Sequence, residues 1–141
     1  AGIVLRAAEL ADHVRAQAAS GAEALLVEGA GGWLVPLNET ETMADLAVAL
    51  GYPVILVVGM RLGCINHALL TAAAITAAGL QLAGWVANGV TPEMEALAEN
   101  VRALEQRLPA LRLGTVPFLV GGCTPERLNT WLDATSLFGA R

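Results

Sequence analysis

The chain has 141 residues, of which 55% are hydrophobic and 15% are charged. This length suits one domain, and this composition permits a buried core and excludes a disordered polypeptide. The net charge of -5 at pH 7 argues against a nucleic-acid partner, because a nucleic-acid surface needs clustered cations.

The sequence also lacks the marks of a membrane or secreted protein. Its apolar runs are broken within about 18–20 positions, so we expect no membrane span and no membrane partner. No basic segment with a cleavage site precedes an apolar stretch, which argues against a secretion signal. Cys64 and Cys123 lie far apart and match no zinc spacing, so we expect free thiols in a cytoplasmic protein.

Two further features concern what the chain supplies. Every one of its eight cationic side chains is arginine. A mechanism that needs a lysine ammonium must therefore take it from outside these residues. The chain begins with Ala-Gly-Ile-Val rather than methionine, so we expect it to be a piece of a longer protein.

Hydrophobic patterns and Gly/Pro breaks predict helices and strands in the order α-β-α-β-α-β-α-β-α. They are a helix over Ile3–Ala19, a strand over Ala24–Val27, a helix over Thr42–Leu50 capped by Thr40 or Thr42, a strand over Val54–Val58, a helix over Asn66–Ala78, a strand over Leu82–Ala87, a helix from Thr91 to Leu108, a strand over Leu111–Val116 and a helix from Pro125 to Trp131 or beyond. Parallel strands need crossover helices, so this alternation predicts an α/β domain with a mostly parallel sheet. No repeat or linker interrupts it, and we predict one domain over residues 1–141.

Ligands of an open parallel sheet bind beyond the carboxyl ends of its strands. Four segments follow the predicted strands: Glu28–Gly32, Gly59–His67, Asn88–Pro92 and Pro117–Leu119. The amide of Asn88 both donates and accepts, so it suits a purine edge, but Asn88 and Gly89 also form a strong turn pair. Both interpretations of that pair stay open.

Glu28 stands at the end of an apolar run and before several glycines. A carboxylate there can coordinate Mg²⁺, a cation that takes one or two carboxylates together with phosphate oxygens. Neighbouring glycines let backbone N–H groups approach a phosphate. The alternative is a glycine turn with a solvated acid, and the residues alone do not separate the two.

The segment from Arg61 to His67 joins a loop to a helix start, with Asn66 as a candidate N-cap. The free N–H groups and positive dipole of a helix start suit a carboxylate or phosphate. The alternative is that His67 is an ordinary first-turn residue and Cys64 fills the core. A Cys64–His67 nucleophile is less favoured, because no third member of a catalytic set is visible.

Four motifs together are similar in residue and order to ATP-dependent dethiobiotin synthetases. They are VEGAGGWLVPL (27–37), PVILVVGMRLGCINHALLT (53–71), LAGWVANGVTP (82–92) and LGTVPFL (113–119). This resemblance implies a three-layer fold like that of P-loop NTPases. It also implies a homodimeric, cytoplasmic ligase of biotin biosynthesis, which uses ATP and Mg²⁺ to close a cyclic urea on 7,8-diaminononanoate with CO₂.

The resemblance also implies roles for individual residues, taken position by position. Glu28 would hold Mg²⁺ beside the phosphates. The nucleotide would meet Glu28, Gly29, Ala30, Gly31, Asn88, Gly89, Pro117, Phe118 and Leu119. The diamine would meet Leu62, Gly63, Cys64, Ile65 and Asn66, near a dimer interface. No catalytic residue is assigned within the chain.

The family's glycine-rich phosphate loop, its catalytic lysines and a second metal-binding acid have no counterpart in this sequence. We therefore expect the carboxyl-terminal part of a synthetase, without its N-terminal strands, that is inactive alone. A non-catalytic α/β module that binds a nucleotide or a partner is the first alternative. An enzyme that uses Glu28 with another phosphate donor is the second.

Overall fold

The structure is a computed structural model, which describes residues 4–18, 21, 23–121 and 123–137. The described residues fall into two compact units. The first lies within residues 1–52 and 78–80, and the second within residues 53–77 and 81–141. None of the helices in the described part of the chain is long and apolar enough to cross a membrane.

The helices and strands have defined bounds along the described chain. They are α1 (Ala7–Ala18), α2 (Met43–Leu50), β1 (Val54–Met60), α3 (Cys64–Ala77), β2 (Leu82–Gly89), α4 (Leu97–Glu105), β3 (Arg112–Val116), α5 (Pro125–Leu128) and a short 3-10 helix (Thr135–Leu137).

In the second unit, β1, β2 and β3 form a parallel sheet in that order. Helix α3 packs against β1 and β2, and α4 packs against α3. The largest fully buried side chains are Trp85, Met60, Ile75, Leu104 and Cys64. The predicted α/β fold with a parallel sheet is therefore confirmed, and its core is formed by side chains of the strands, α3 and α4.

The first unit pairs α1 with α2 around a small core of Ala7, Ala11 and Leu46. The guanidinium of Arg15 in α1 donates a hydrogen bond to the backbone carbonyl of Ala49 in α2. Helix α2 has Thr42, not Thr40, at its N-cap, and it ends as predicted at Leu50, before Gly51, whose φ of +69° is left-handed. Glycine adopts this conformation without steric cost.

The predicted strand over Ala24–Val27 is wrong. These four residues are described, and they have no regular secondary structure. Leu25 is 40% exposed and Leu26 is 82% exposed. A strand needs a hydrogen-bonded neighbour, and no described strand pairs with this segment.

The first predicted helix begins too early. Residues 4–6 are not helical, and α1 starts at Ala7, whose N–H lies 3.4 Å from the Glu41 carboxylate. The predicted ends at Ile3 and Ala19 lie outside the described residues. A local pattern cannot place this start, because the acceptor comes from 34 residues away.

The helix predicted from Asn66 to Ala78 starts two residues earlier, at Cys64, and ends at Ala77. Gly63 turns the chain with a φ of +91°, and the Cys64 N–H donates to the Arg61 carbonyl over 3.0 Å. Asn66 is therefore inside the helix, and its predicted N-cap role is wrong.

The helix predicted from Thr91 to Leu108 is shorter, from Leu97 to Glu105. The Thr91 hydroxyl donates to the Glu93 carbonyl over 3.0 Å, which closes a turn instead of capping a helix. Ala96 then adopts a left-handed φ of +53° just before α4.

Four other boundaries differ by one to a few residues. β1 and β2 each extend two residues beyond their predicted ends, β3 begins at Arg112, and α5 covers only Pro125–Leu128 after Thr124. The strand extensions follow from pairing, since Gly59 pairs with Asn88 and Met60 with Gly89.

Candidate functional site

The register of the sheet brings the ends of its strands together. Gly89 pairs with Met60 of β1, and Asn88 pairs with Val116 of β3. The segments after Met60 and Val116 therefore leave the same edge of the sheet. This is the edge at which ligands of open parallel sheets bind.

At this edge, Gly89 lies close against the backbone of the segment that follows β3. A Cβ atom at position 89 would lie 2.6 Å from the backbone nitrogen of Phe118 and 3.0 Å from the carbonyl carbon of Pro117. Only glycine permits that approach, because the opposing atoms are backbone and cannot swing aside. The structure thus joins Asn88–Gly89 directly to Pro117–Phe118, two of the predicted nucleotide segments.

Asn88 and Gly89 are the last two residues of β2. The interpretation of this pair as a turn is therefore wrong. Asn88 is half-buried at the strand end and follows the fully buried Ala87. Phe118 is 39% exposed, which leaves an aromatic surface beside this edge.

The predicted diamine segment forms the turn between β1 and α3. Leu62 is 98% exposed, whereas the Cys64 thiol is buried and lies 3.9 Å from the side-chain oxygen of Asn100 in α4. A Cβ on Gly63 would be 3.6 Å from the His67 ring. Cys64 is thus a core residue, and His67 covers the turn.

A cavity of about 380 Å³ opens beside β1 and this turn. Its polar lining comes from Arg61, His67 and Thr71, and its apolar lining includes Leu56 and Val90. Arg61 and His67 are exposed, so they can meet an anionic group in solution. The cavity combines a cation with an apolar wall, which suits a ligand that has a carboxylate and an aliphatic chain.

The Glu28 loop belongs to the first unit. Glu28, Gly29, Ala30 and Gly31 are exposed. Gly31 has a φ of +86°, so its backbone favours glycine. A Cβ on Gly29 would be 2.9 Å from the Met43 Cε. These residues therefore form an open glycine turn that lies against the start of α2.

A magnesium ion at the Glu28 loop would need oxygen ligands. Among the described residues, no three His, Cys, Asp or Glu side chains gather as a metal cluster. Glu28 supplies a single exposed carboxylate. That donor fits Mg²⁺ when phosphate oxygens and water complete the shell, which is the usual way proteins bind this ion.

A polar network that the sequence motifs do not predict lies after this loop. The Asn38 side-chain oxygen accepts hydrogen bonds from the N–H groups of Thr40 and Glu41, each over 2.9 Å, and from the Thr40 hydroxyl. The Asp45 carboxylate accepts from the N–H and hydroxyl of Thr42, over 2.6 and 2.8 Å. The Thr-x-x-Asp spacing is a capping-box signal that the sequence does contain.

The hydrogen bonds from Thr42 affect the protonation of the Asp45 carboxylate. The hydrogen bond from the Thr42 backbone, and then that from its hydroxyl, lower the pKa of Asp45 below its ordinary value. They favour the charged form because the carboxylate is the better acceptor.

The structure brings together the candidates of the second unit at one edge: Leu62–Asn66, Asn88–Gly89 and Pro117–Leu119. It describes Glu28–Gly31 within the first unit. Both cysteines are free thiols, as predicted.

Comparison with known proteins agrees with this architecture. The sequence profile of a family described as "AAA domain" matches residues 4–122. Over 137 residues, the chain is 60% identical to the ATP-dependent dethiobiotin synthetase BioD of Pseudomonas paraeruginosa, covering 97% of this chain and 60% of that protein.

Two other relatives have the same name. The protein of Cellvibrio japonicus is 56% identical over 119 residues, which are 84% of this chain and 52% of that protein. The protein of Nitrosospira multiformis is 62% identical over 97 residues, which are 69% of this chain and 43% of that protein. The chain thus spans about 60% or less of the length of these relatives.

Proposed function

We propose that this chain, which belongs to the AAA domain family, carries part of the active site of an ATP-dependent dethiobiotin synthetase. The reaction would be the closure of a cyclic urea on 7,8-diaminononanoate with CO₂ and ATP. The observation that carries the proposal is the contact of Gly89 with the Pro117–Phe118 backbone. It joins two segments that the resemblance implies for the nucleotide, within a chain 60% identical to a protein of that name.

Each group of residues would have a defined task. The amide of Asn88 would pair with the adenine edge, since it both donates and accepts. Gly89 would keep Pro117–Leu119 close enough to border the base. Leu62–Asn66 would meet the diamine beside the cavity, where Arg61 supplies a positive charge for its carboxylate.

Glu28 would hold Mg²⁺ while Gly29, Ala30 and Gly31 lie along the phosphates. When bound, this ion would neutralise charge on the phosphates, and phosphoryl transfer depends mainly on such neutralisation and on positioning. The exposed carboxylate and the open glycine turn support this assignment.

The 141 residues alone would not complete the reaction. The chain contains eight arginines and no lysine. Transfer of a γ-phosphate from ATP generally uses a lysine at the phosphates. We also propose, from the resemblance, that the active protein is a cytoplasmic homodimer.

The test is a calorimetric titration of Mg·ATP into the full-length product of the gene that encodes these residues. Glu28→Gln should weaken binding roughly 10- to 100-fold, because it removes a charged metal ligand. Glu23→Gln, an exposed acid five positions earlier, should leave affinity unchanged.

Turnover supplies the second measurement. Phosphate release by the full-length product should require both the diamine and CO₂. Equal turnover without the diamine would overturn the ligase proposal. Tight binding of Mg·ATP by the 141 residues alone, without phosphate release that depends on the diamine and CO₂, would favour the nucleotide-binding module instead.

A further inference from the structure

Asn38 is the hub of a hydrogen-bond network in the first unit. Its side-chain oxygen accepts bonds from Thr40 and from the Glu41 N–H. Its side-chain nitrogen donates to the Leu5 carbonyl over 2.7 Å and to the Glu41 carboxylate over 2.5 Å. One amide thus uses both ends to tie the 38–41 turn to the chain before α1.

Glu41 extends the same network to the start of α1. Its Oε2 lies 3.4 Å from the N–H of Ala7, the first residue of that helix. The free N–H groups and the dipole of a helix start favour a carboxylate. Backbone bonds close the turn beneath it, since the Glu41 carbonyl accepts from Leu37 over 2.8 Å and from Asn38 over 3.2 Å.

The 38–41 turn is also connected, through Val35 and Met43, to the loop that carries Glu28. The N–H of Met43 donates to the Val35 carbonyl over 2.9 Å, and the Met43 side chain packs with the α1–α2 core. A Cβ on Gly29 would be 2.9 Å from Met43, and one on Gly31 would be 2.8 Å from the Val35 side chain. Met43 and Val35 therefore form the surface on which the glycine turn lies.

We infer that Asn38 and Glu41 are positioning residues that fix this surface, and through it the Glu28–Gly31 loop, for a magnesium nucleotide. Glu28 itself is exposed, and Ala24–Gly29 lie outside regular structure. The contacts described for its loop are those of the glycine turn with Met43 and Val35. The inference rests on the proposed function, because it assumes that Glu28 holds the metal.

The deciding variant is Asn38→Asp, examined in the full-length gene product. Aspartate keeps the oxygen that accepts from Thr40 and Glu41, but it cannot donate to the Leu5 carbonyl and it repels the Glu41 carboxylate. Mn²⁺ serves as the probe, and its binding in the presence of ATP is followed by electron paramagnetic resonance. We expect an affinity loss of roughly 10-fold, the scale for outer groups that orient metal ligands.

Two controls separate positioning from loss of folding. Glu39→Gln removes an exposed acid in the same turn and should bind Mn²⁺ like the wild type. Circular dichroism gives the folded fraction, and hydrogen exchange at residues 29–35 should rise in Asn38→Asp without ligand. If Asn38→Asp does not fold, Glu41→Gln takes its place, with a smaller loss expected because its amide oxygen still accepts from Ala7.

The outcomes are distinct. Unchanged Mn²⁺ affinity in a folded Asn38→Asp or Glu41→Gln protein, beside a wild type that binds, overturns the positioning role alone. A wild type that binds no Mn²⁺ with ATP overturns the proposed function and this inference with it. Weaker binding with a wild-type folded fraction supports the inference, because a purely structural defect would lower the folded fraction instead.

Discussion

The carboxyl edge of the sheet and the Glu28 loop both carry candidate nucleotide contacts, but different forces hold them. Beneath the edge, Trp85 and Met60 are fully buried, and the strands pair residue by residue. In the segment just before Glu28, Leu26 is 82% exposed. Further along the chain, polar side chains such as Asn38 hold the 38–41 turn by hydrogen bonds. An apolar run therefore forms a strand only where a neighbour pairs with it and covers it.

The largest predicted effect is the difference in the free energy of unfolding between Trp85→Ala and Leu26→Ala. Removal of the buried indole should lower the free energy of unfolding by about 3–5 kcal/mol, from lost burial and the cavity left behind. Removal of the exposed leucine should change it by less than about 0.5 kcal/mol. Urea unfolding measures both values.

A cost for Leu26→Ala near that of Trp85→Ala would break the comparison. It would mean that residues 24–27 are covered in solution and that the predicted strand forms there.

A smaller difference in stability and ATP affinity is expected between alanine substitutions at Gly89 of β2 and Gly59 of β1. Gly89→Ala should cost about 1–3 kcal/mol, because the new Cβ would meet the Phe118 backbone at 2.6 Å. It should also weaken ATP binding, since it pushes 117–118 away from Asn88. Calorimetry with ATP and urea unfolding measure the two consequences.

Gly59→Ala is the matched control for this glycine. Gly59 pairs with Asn88 on the neighbouring strand, and its added Cβ would be 3.5 Å from a Val90 methyl, an ordinary contact. Equal losses of ATP affinity in the two variants would contradict a special role for Gly89.

The sequence predicts the sheet well because its signals are local. The aliphatic runs beginning at Val54 and Leu82, each set off by Gly or Pro, mark strands, and Thr42 and Gly51 bound a helix. The rule that ligands meet the carboxyl ends of parallel strands points to the segments that follow these strands. In the structure, Gly89 at the end of β2 lies against the backbone of Phe118, which follows β3.

What the sequence misses depends on partners distant in the chain or on side-chain geometry. Ala24–Val27 has the composition of a strand but no described neighbour. Thr91 resembles a helix cap, yet its hydroxyl closes a turn. Asn38 resembles an ordinary loop residue, because its bond to Leu5 spans 33 positions and leaves no local pattern.

The smallest predicted effect is a difference in acid sensitivity between α2 and β2. The pKa of Asp45 is lowered from 3.8 by the Thr42 hydrogen bonds, so its carboxylate stabilises the folded chain at neutral pH. This contribution is lost as the pH falls below about 4, when the carboxylate takes up a proton that the unfolded chain already binds. Hydrogen exchange, corrected for the intrinsic rate, should therefore rise in Met43–Leu50 between about pH 5 and about pH 3, while Leu82–Gly89, which contains no acid, changes less. Asp45→Asn should remove the difference and Glu39→Gln should keep it; an α2 whose protection is independent of pH in the wild type would show that burial, rather than exposed polar bonds, orders this helix.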